Sequence, residues 1–245
     1  MFLSKKFLSK KRNMGKNWLP LESNPEVINV YCEKMGVDMS SFGFTDVYST
    51  DEWAIDMVPK PCLAVVLLYP LKESSETFSV EERTGIEKNG QVLSSDLYYM
   101  KQTVGDACGT VAILHSLGNA RPFLEFKEDS YISGFFESTG SMNPEEIAAY
   151  LEEDSDIEEL HQTAVESGQS ETPESGTVST HFVCFTHSNG CLYELDGRKK
   201  FPINHGPSSV ETLLADACEA IKKFIQRDPD EIRFTIMALA AGNEG

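Results

Sequence analysis

At 245 residues the chain holds one large domain or two small ones, enough to bury roughly three quarters of its unfolded surface without disulfide staples. Its formal net charge of −18 is concentrated. Between Lys127 and Arg198 there are 16 of the 39 acids and no lysine or arginine, a field that repels nucleic acid and attracts basic partners. The longest apolar run, 62–69, is far too short to span a bilayer. The six cysteines (Cys32, Cys62, Cys108, Cys184, Cys191, Cys218) form no CxxC pair or zinc-ligand spacing, and no secretory signal is present. They read as reduced thiols of a cytoplasmic or nuclear protein with no metal and no cofactor.

In chain order, residues 1–15 carry Lys5, Lys6, Lys10, Lys11 and Arg12 with no acid. They read as a disordered basic extension, with Met14 as an alternative initiator, or as a targeting tail. Residues 16–245 form the domain proper. Asn24 or Ser23 can cap a helix that starts at Pro25 and ends near Gly36. A short helix is expected over 51–58 and a fully buried central strand over 62–69. A polar helix follows over 79–87, and another over 141–151 with Asn143 as its cap and Pro144 at its first position. From 155 to 178 periodicity is lost and Ser, Thr, Gly, Glu and Pro dominate, which predicts a long exposed loop. A hairpin follows, 181–187 and 191–197 around Ser188-Asn189-Gly190, since Asn-Gly favours a two-residue turn. Ser208 or Ser209 then caps an amphipathic helix with Val210, Leu213, Leu214, Ala217, Ile221, Phe224 and Ile225 on one face. A closing strand spans 232–239.

The chemistry starts at Cys108. Small residues surround it and the apolar run Val111-Ala112-Ile113-Leu114 follows, which places the sulfur at the first turn of a buried helix, where the helix dipole favours thiolate. Gln102, six residues upstream, can donate an amide hydrogen to an oxyanion. The competing reading of a lone cysteine is a buried core thiol. The hairpin supplies the partners. If Ser188 faces Cys191, Val183 faces Asp196, and His181 becomes the diagonal neighbour of Asp196 on one face. Cys108, His181 and Asp196 then form a nucleophile, a base and the group orienting that base. Of the other histidines, His115 reads as packing, His161 as a loop residue able to touch a partner, His187 as too near the turn, and His205 as a turn residue. Asp106 reads as a helix N-cap.

These residues carry a resemblance. The stretches Trp18-Leu19-Pro20-Leu21-Glu22, Met100-Lys101-Gln102-Thr103 through Cys108-Gly109-Thr110, His181-Phe182 and Leu192-Tyr193-Glu194-Leu195-Asp196-Gly197-Arg198-Lys199 resemble the small ubiquitin carboxyl-terminal hydrolases, papain-like cysteine peptidases. The likeness extends through Phe201-Pro202-Ile203-Asn204-His205-Gly206 and Arg227-Asp228-Pro229-Asp230-Glu231 and covers about residues 16–240. It implies an α/β (α+β) fold: a papain-like antiparallel sheet flanked by helices on both sides, with a knotted backbone. It implies catalytic roles for Gln102, Cys108, His181 and Asp196, and ubiquitin contacts at Pro20, Glu22, Asn24, Thr180, Asp230 and Glu231. Residues 155–178 would be the active-site crossover loop, restricting leaving groups to small or unfolded ones. The implied substrate is ubiquitin, with the neddylation modifier as a second one, acted on by a monomer that binds neither nucleic acid nor membrane. The alternative is a protein that mainly holds free ubiquitin. Asp106 stands where the family usually has Asn, and Thr180 where it has a larger apolar residue.

Overall fold

A computed structural model of the chain describes residues 15–169 and 179–242. Its centre is β2 (Cys62–Pro70), whose residues are nearly all buried. Along it Ala64 and Val66 enter one apolar cluster while Val65, Leu67 and Tyr69 enter another, so both faces of the strand are dry. The sheet has six strands, all antiparallel, in the order β1 (Phe42–Asp46), β6 (Thr235–Ala241), β2, β3 (Thr180–Ser188), β4 (Cys191–Leu195), β5 (Ile203–Pro207).

One sheet face is covered by α1 (Pro25–Met35), α4 (Cys108–Ala120), α5 (Tyr131–Thr139), α6 (Pro144–Glu153) and α7 (Ser155–Glu166). The opposite face is covered by α8 (Leu213–Gln226), with the short α2 (Glu52–Ile55) beside it. Helix α1 starts where expected, with Asn24 accepting the Glu26 N–H at 2.9 Å, and it closes on left-handed Gly36. Asn143 caps α6 in a capping box with Glu146. The antiparallel sheet and its two-sided helical cover agree with the expected fold class.

The elements depart from expectation in several places. The polar helix is longer, α3 (Glu73–Asn89). The expected cap of α8 is displaced: Ser209 and Thr212 bond to each other, and the helix starts at Leu213, after Val210. The closing strand starts at Thr235 rather than 232. Strands β1 and β5 and helix α5 were not foreseen.

The largest correction concerns 155–178. Residues 155–166 form α7, capped by Asp154, which accepts from Asp156 N at 2.9 Å and Ile157 N at 3.3 Å. Ile157, His161, Ala164 and Val165 are buried, at i, i+4, i+7 and i+8 spacing. The spacing is helical, but a polar stretch with a single Ile-to-Val repeat hides it. Of the expected loop, 170–178 lies outside the described residues, as does nearly all of the basic extension. Ile157→Ala should therefore destabilise the protein by about 2–5 kcal/mol in denaturant unfolding. A loss below about 0.5 kcal/mol would fit an exposed loop and contradict the packing of α7.

Candidate active site

The β3–β4 hairpin turns through Asn189 and Gly190, both with positive φ (45° and 77°), the signature of a two-residue turn that keeps strand twist. That turn sets the register. Ser188 opposes Cys191 and Cys184 opposes Leu195, as the sequence predicts. Past the last paired positions, three residues before Cys184 and one after Leu195, His181 Nε2 lies 2.7 Å from Asp196 Oδ1. A carboxylate only accepts, so Nε2 carries the hydrogen and Nδ1 is left for the thiol. The Cys108 side chain is hydrogen-bonded to His181.

His181 and Asp196 are both buried, 2% and 4% exposed, so their charges act in a low dielectric. Burial alone would lower the imidazole pKa, but attraction to Asp196 and its hydrogen bond outweigh this and push it up to about 9. Burial opposes the Asp196 carboxylate too. The His181 charge, Lys199 and the Arg198 N–H overcome it and hold its pKa below the usual carboxylate value. The Arg198 N–H donates to Asp196 Oδ1 at 2.8 Å, and Lys199 N donates to Asp196 O at 2.9 Å, so the turn after β4 orients the acid.

Cys108 is the first residue of α4, which lies buried along β3. The preceding segment is fixed by residues 16–18: Trp18 N donates to Gly105 O and Gly105 N to Lys16 O. Asp106 is not the cap. It sits in the left-handed region at φ 56°, a conformation Asp and Asn tolerate best among non-glycine residues, and Ala107 takes the cap position without a side-chain bond. Among the thiols, burial pushes Cys62 and Cys184 up to about 12 and Cys218 to about 11, and it raises Cys32 as well. Cys108, partly exposed at a helix start and bonded to an imidazole, differs from these.

Gln102 lies beside the site but is partly committed. Its Nε2 donates to Val104 O at 3.0 Å, its Oε1 is buried with no partner, and its backbone N donates to Gly197 O at 3.0 Å. A Cβ on Gly197 would stand 2.9 Å from Gln102 Cβ and N, so the bare Cα lets the acid-bearing turn pack on the segment that carries Gln102. Gly197, Tyr99 and Lys199 escaped the sequence reading as parts of the site. Tyr99 Oη donates to Asp196 O at 2.9 Å and approaches Lys199 O at 2.8 Å. The Asp-Gly turn was the available signal for Gly197.

The remaining candidates divide. Asp230 is exposed, and Pro20 and Thr180 are partly so, with Thr180 paired to Pro70 at the start of β3. Asn24 is a cap. Glu22 accepts the Gln169 N–H at 2.7 Å. Glu231 is held by Lys72 at 2.9 Å and Arg233 at 2.7 Å, pairs that keep its carboxyl well below the usual range. His115 is buried against Met100 and Tyr99, and burial lowers it to about 4. His161 corrects the loop reading. It is 1% exposed on α7, donating from Nε2 to Leu19 O at 2.7 Å and meeting Thr110 Oγ1 at 2.8 Å. His205 lies in β5 with Nε2 2.9 Å from Glu194, not in a turn. No group of three His, Cys, Asp or Glu among the described residues is placed to hold a metal, and no helix among them could cross a membrane.

A thiol, an imidazole and a carboxylate in series can activate sulfur for attack on a carbonyl. Comparison with known proteins places this geometry. The sequence profile of ubiquitin carboxyl-terminal hydrolase, family 1, matches residues 18–226. A probable ubiquitin carboxyl-terminal hydrolase of Dictyostelium discoideum is 46% identical over 225 residues, 91% of this chain and 88% of the relative. The chain belongs to ubiquitin carboxyl-terminal hydrolase family 1. As a member it is a cysteine-type hydrolase. Ubiquitin carboxyl-terminal hydrolase 3 of Arabidopsis thaliana is 45% identical, covering 92% of this chain and 95% of its own. Human isozyme L1 is 37% identical, with 90% and 96% covered. The crystal structure of the Trichinella spiralis UCH37 catalytic domain bound to ubiquitin vinyl methyl ester superposes with a TM-score of 0.70 at 22% identity, covering 93% of this chain and 96% of that one.

The His181–Asp196 pair has a definite pH signature. His181 binds its proton more tightly in the folded protein, at about 9, than at its ordinary value of 6.5. Its contribution to stability is thus complete below about pH 6.5 and lost as pH rises through about 9. Asp196 acts in the opposite sense: its contribution is present above 3.8 and lost as pH falls through its lower folded value. Between pH 6.5 and 9 the wild type should therefore lose stability relative to Asp196→Asn, in which the largest charge holding the proton on the imidazole is gone. Denaturant midpoints across pH check this, and equal slopes for the two proteins would exclude the ion pair.

Proposed function

We propose that the chain is a deubiquitinase that hydrolyses amide, ester or thioester bonds at the C-terminal Gly of ubiquitin. The 2.7 Å His181–Asp196 contact, with Cys108 hydrogen-bonded on the other side of the ring, carries this reading. The Cys108 thiolate attacks the terminal Gly carbonyl, and the second N–H of Gln102 Nε2 with the Cys108 backbone N–H receives the oxyanion. The His181 imidazolium gives its proton to the leaving amine, which departs and leaves a thioester on Cys108. His181, now neutral, takes a proton from water. The resulting hydroxide equivalent attacks the thioester carbon and the C–S bond breaks, which frees the ubiquitin carboxyl group, its proton passing to water, and restores the Cys108 thiolate beside the His181 imidazolium. Asp196 stabilises the imidazolium at both stages.

The relatives' names and the ubiquitin adduct of the Trichinella neighbour support ubiquitin as the partner. Asp230, Pro20 and Thr180 fit direct contacts with it. Glu22, Asn24 and Glu231, engaged inside the chain, fit contacts that also order the binding edge. The buried imidazole and carboxylate favour an extended tail and a small or unfolded leaving group over a folded one. The neddylation modifier, with the same Gly-Gly ending, is the expected second substrate. Six free sulfurs suit a monomer of the reducing cytoplasm and nucleus.

A ubiquitin C-terminal fluorogenic amide tests the reading. Cys108→Ala should abolish turnover yet still bind ubiquitin, and a ubiquitin C-terminal electrophile should label Cys108 in the intact enzyme. Labelling of another cysteine would refute the nucleophile. Tight ubiquitin binding by the wild type without turnover would instead mark a ubiquitin-holding protein. The acidic span also predicts slower association as salt rises, because screening sets in beyond about 8 Å at physiological ionic strength. A salt-independent association rate would exclude electrostatic steering.

A further inference from the structure

Helix α3 is laid on the surface, and every residue in it keeps some exposure. Three of its acids nevertheless reach the three residues that follow the Asp196-Gly197 turn. Glu76 meets Arg198 at 2.9 Å, Glu82 meets Lys199 at 2.6 Å, and Glu87 meets Lys200 at 2.8 Å. The outer two pairs are wet, and such pairs contribute little. The middle pair is different: the Lys199 and Glu82 side chains are 9% and 14% exposed. The same ammonium lies 2.6 Å from Glu194, which is fully buried and two residues before Asp196 on the same strand face.

We propose that Lys199 is a positioning residue for Asp196, anchored to α3 through Glu82, a proposal that rests on the catalytic reading above. The turn from Asp196 to Lys199 aims the carboxylate at His181, and Lys199 closes that turn from both ends. Its N–H donates to Asp196 O at 2.9 Å, and its carbonyl accepts from Lys101 Nζ at 2.7 Å, with Tyr99 Oη 2.8 Å away. Its side chain then crosses back to Glu194 and out to Glu82. The strut thus ties the far end of the turn to the strand before it and to a helix outside it. A salt link in a dry setting holds direction as well as distance, and removing one partner strands the others' charge. Glu194 keeps a second partner in His205, at 2.9 Å, which leaves the fold a way to survive loss of the lysine. Other charged or titratable groups whose fields reach this cluster are Asp196, Arg227 just past the end of α8, Tyr69 from β2 and Tyr99. The Lys199 charge also favours the ionised Asp196. Nothing in the strut belongs to the expected ubiquitin contacts, so its loss should act on the chemical step and leave binding unchanged.

The test compares Lys199→Met, Lys199→Arg, Glu82→Gln and the Met/Gln double variant on a ubiquitin C-terminal fluorogenic amide, with ubiquitin affinity measured separately. Lys199→Met should lower kcat by about tenfold or more while KM and the ubiquitin Kd stay within about twofold. Lys199→Arg should restore most of the rate. Glu82→Gln should lower kcat by a smaller factor, and the double variant should be no slower than Lys199→Met, because the two side chains act as one unit. If Lys199→Met does not fold, Glu82→Gln, which keeps the Lys199–Glu194 pair, decides alone. Wild-type kcat in either folded variant, or a loss carried by KM or Kd, overturns the proposal. A wild-type enzyme inactive on the ubiquitin amide would overturn the catalytic reading, and this proposal with it.

Discussion

The contact between His181 Nε2 and Asp196 Oδ1 is the constraint from which the rest of the site follows. It exists because one tight turn at Asn189-Gly190 fixes the pairing of β3 with β4. A slip of one residue would send the imidazole and the carboxylate to opposite faces. Once the pair forms, its buried charges must be satisfied, and the neighbourhood is built to do so. The Arg198 N–H points at the acid, Tyr99 binds the acid's own carbonyl, and the bare Cα of Gly197 lets the turn lie against Gln102.

Burial selects among otherwise equivalent groups. Cys62 and Cys184 lie in the strands, where burial outweighs their hydrogen bonds, so they remain neutral core thiols. Cys108 lies at the start of α4, beside the imidazole. The histidines separate in the same way. His115 and His161 are buried with no carboxylate hydrogen-bonded to the ring, so burial lowers both. His181 has one, and it rises. His161 acts as a structural tie instead. It bridges α7 to the carbonyl of Leu19 and to Thr110, two residues past the nucleophile, and so joins three segments around the site.

Much of this was legible in the sequence because the informative signals are local. A central strand with apolar residues at every position, a capped helix at Asn24-Pro25 and an Asn-Gly turn are each decided by a few neighbouring residues. Hairpin register then converts local information into a distant contact, which is why spacing along the chain suffices to pair His181 with Asp196. What failed depends on tertiary contacts. Helix α7 is polar around most of its circumference and is stabilised by packing Ile157 and Val165 on α1, not by its own propensity. Strand β5 is short and partly exposed. Asp106 is a residue type that caps helices, but it takes a positive φ, and Ala107 occupies the cap position. The Glu82–Lys199–Glu194 link joins three elements through side chains, and no spacing rule foretells it.

The central claim is that Asp196 keeps His181 charged in a buried site. An NMR titration of the His181 ring nitrogens measures this directly in the folded enzyme. The account predicts that Nε2 stays protonated and that the imidazolium persists far above the ordinary histidine range, with a midpoint near 9. A midpoint at or below 6.5 would show burial prevailing over the carboxylate and would contradict the account.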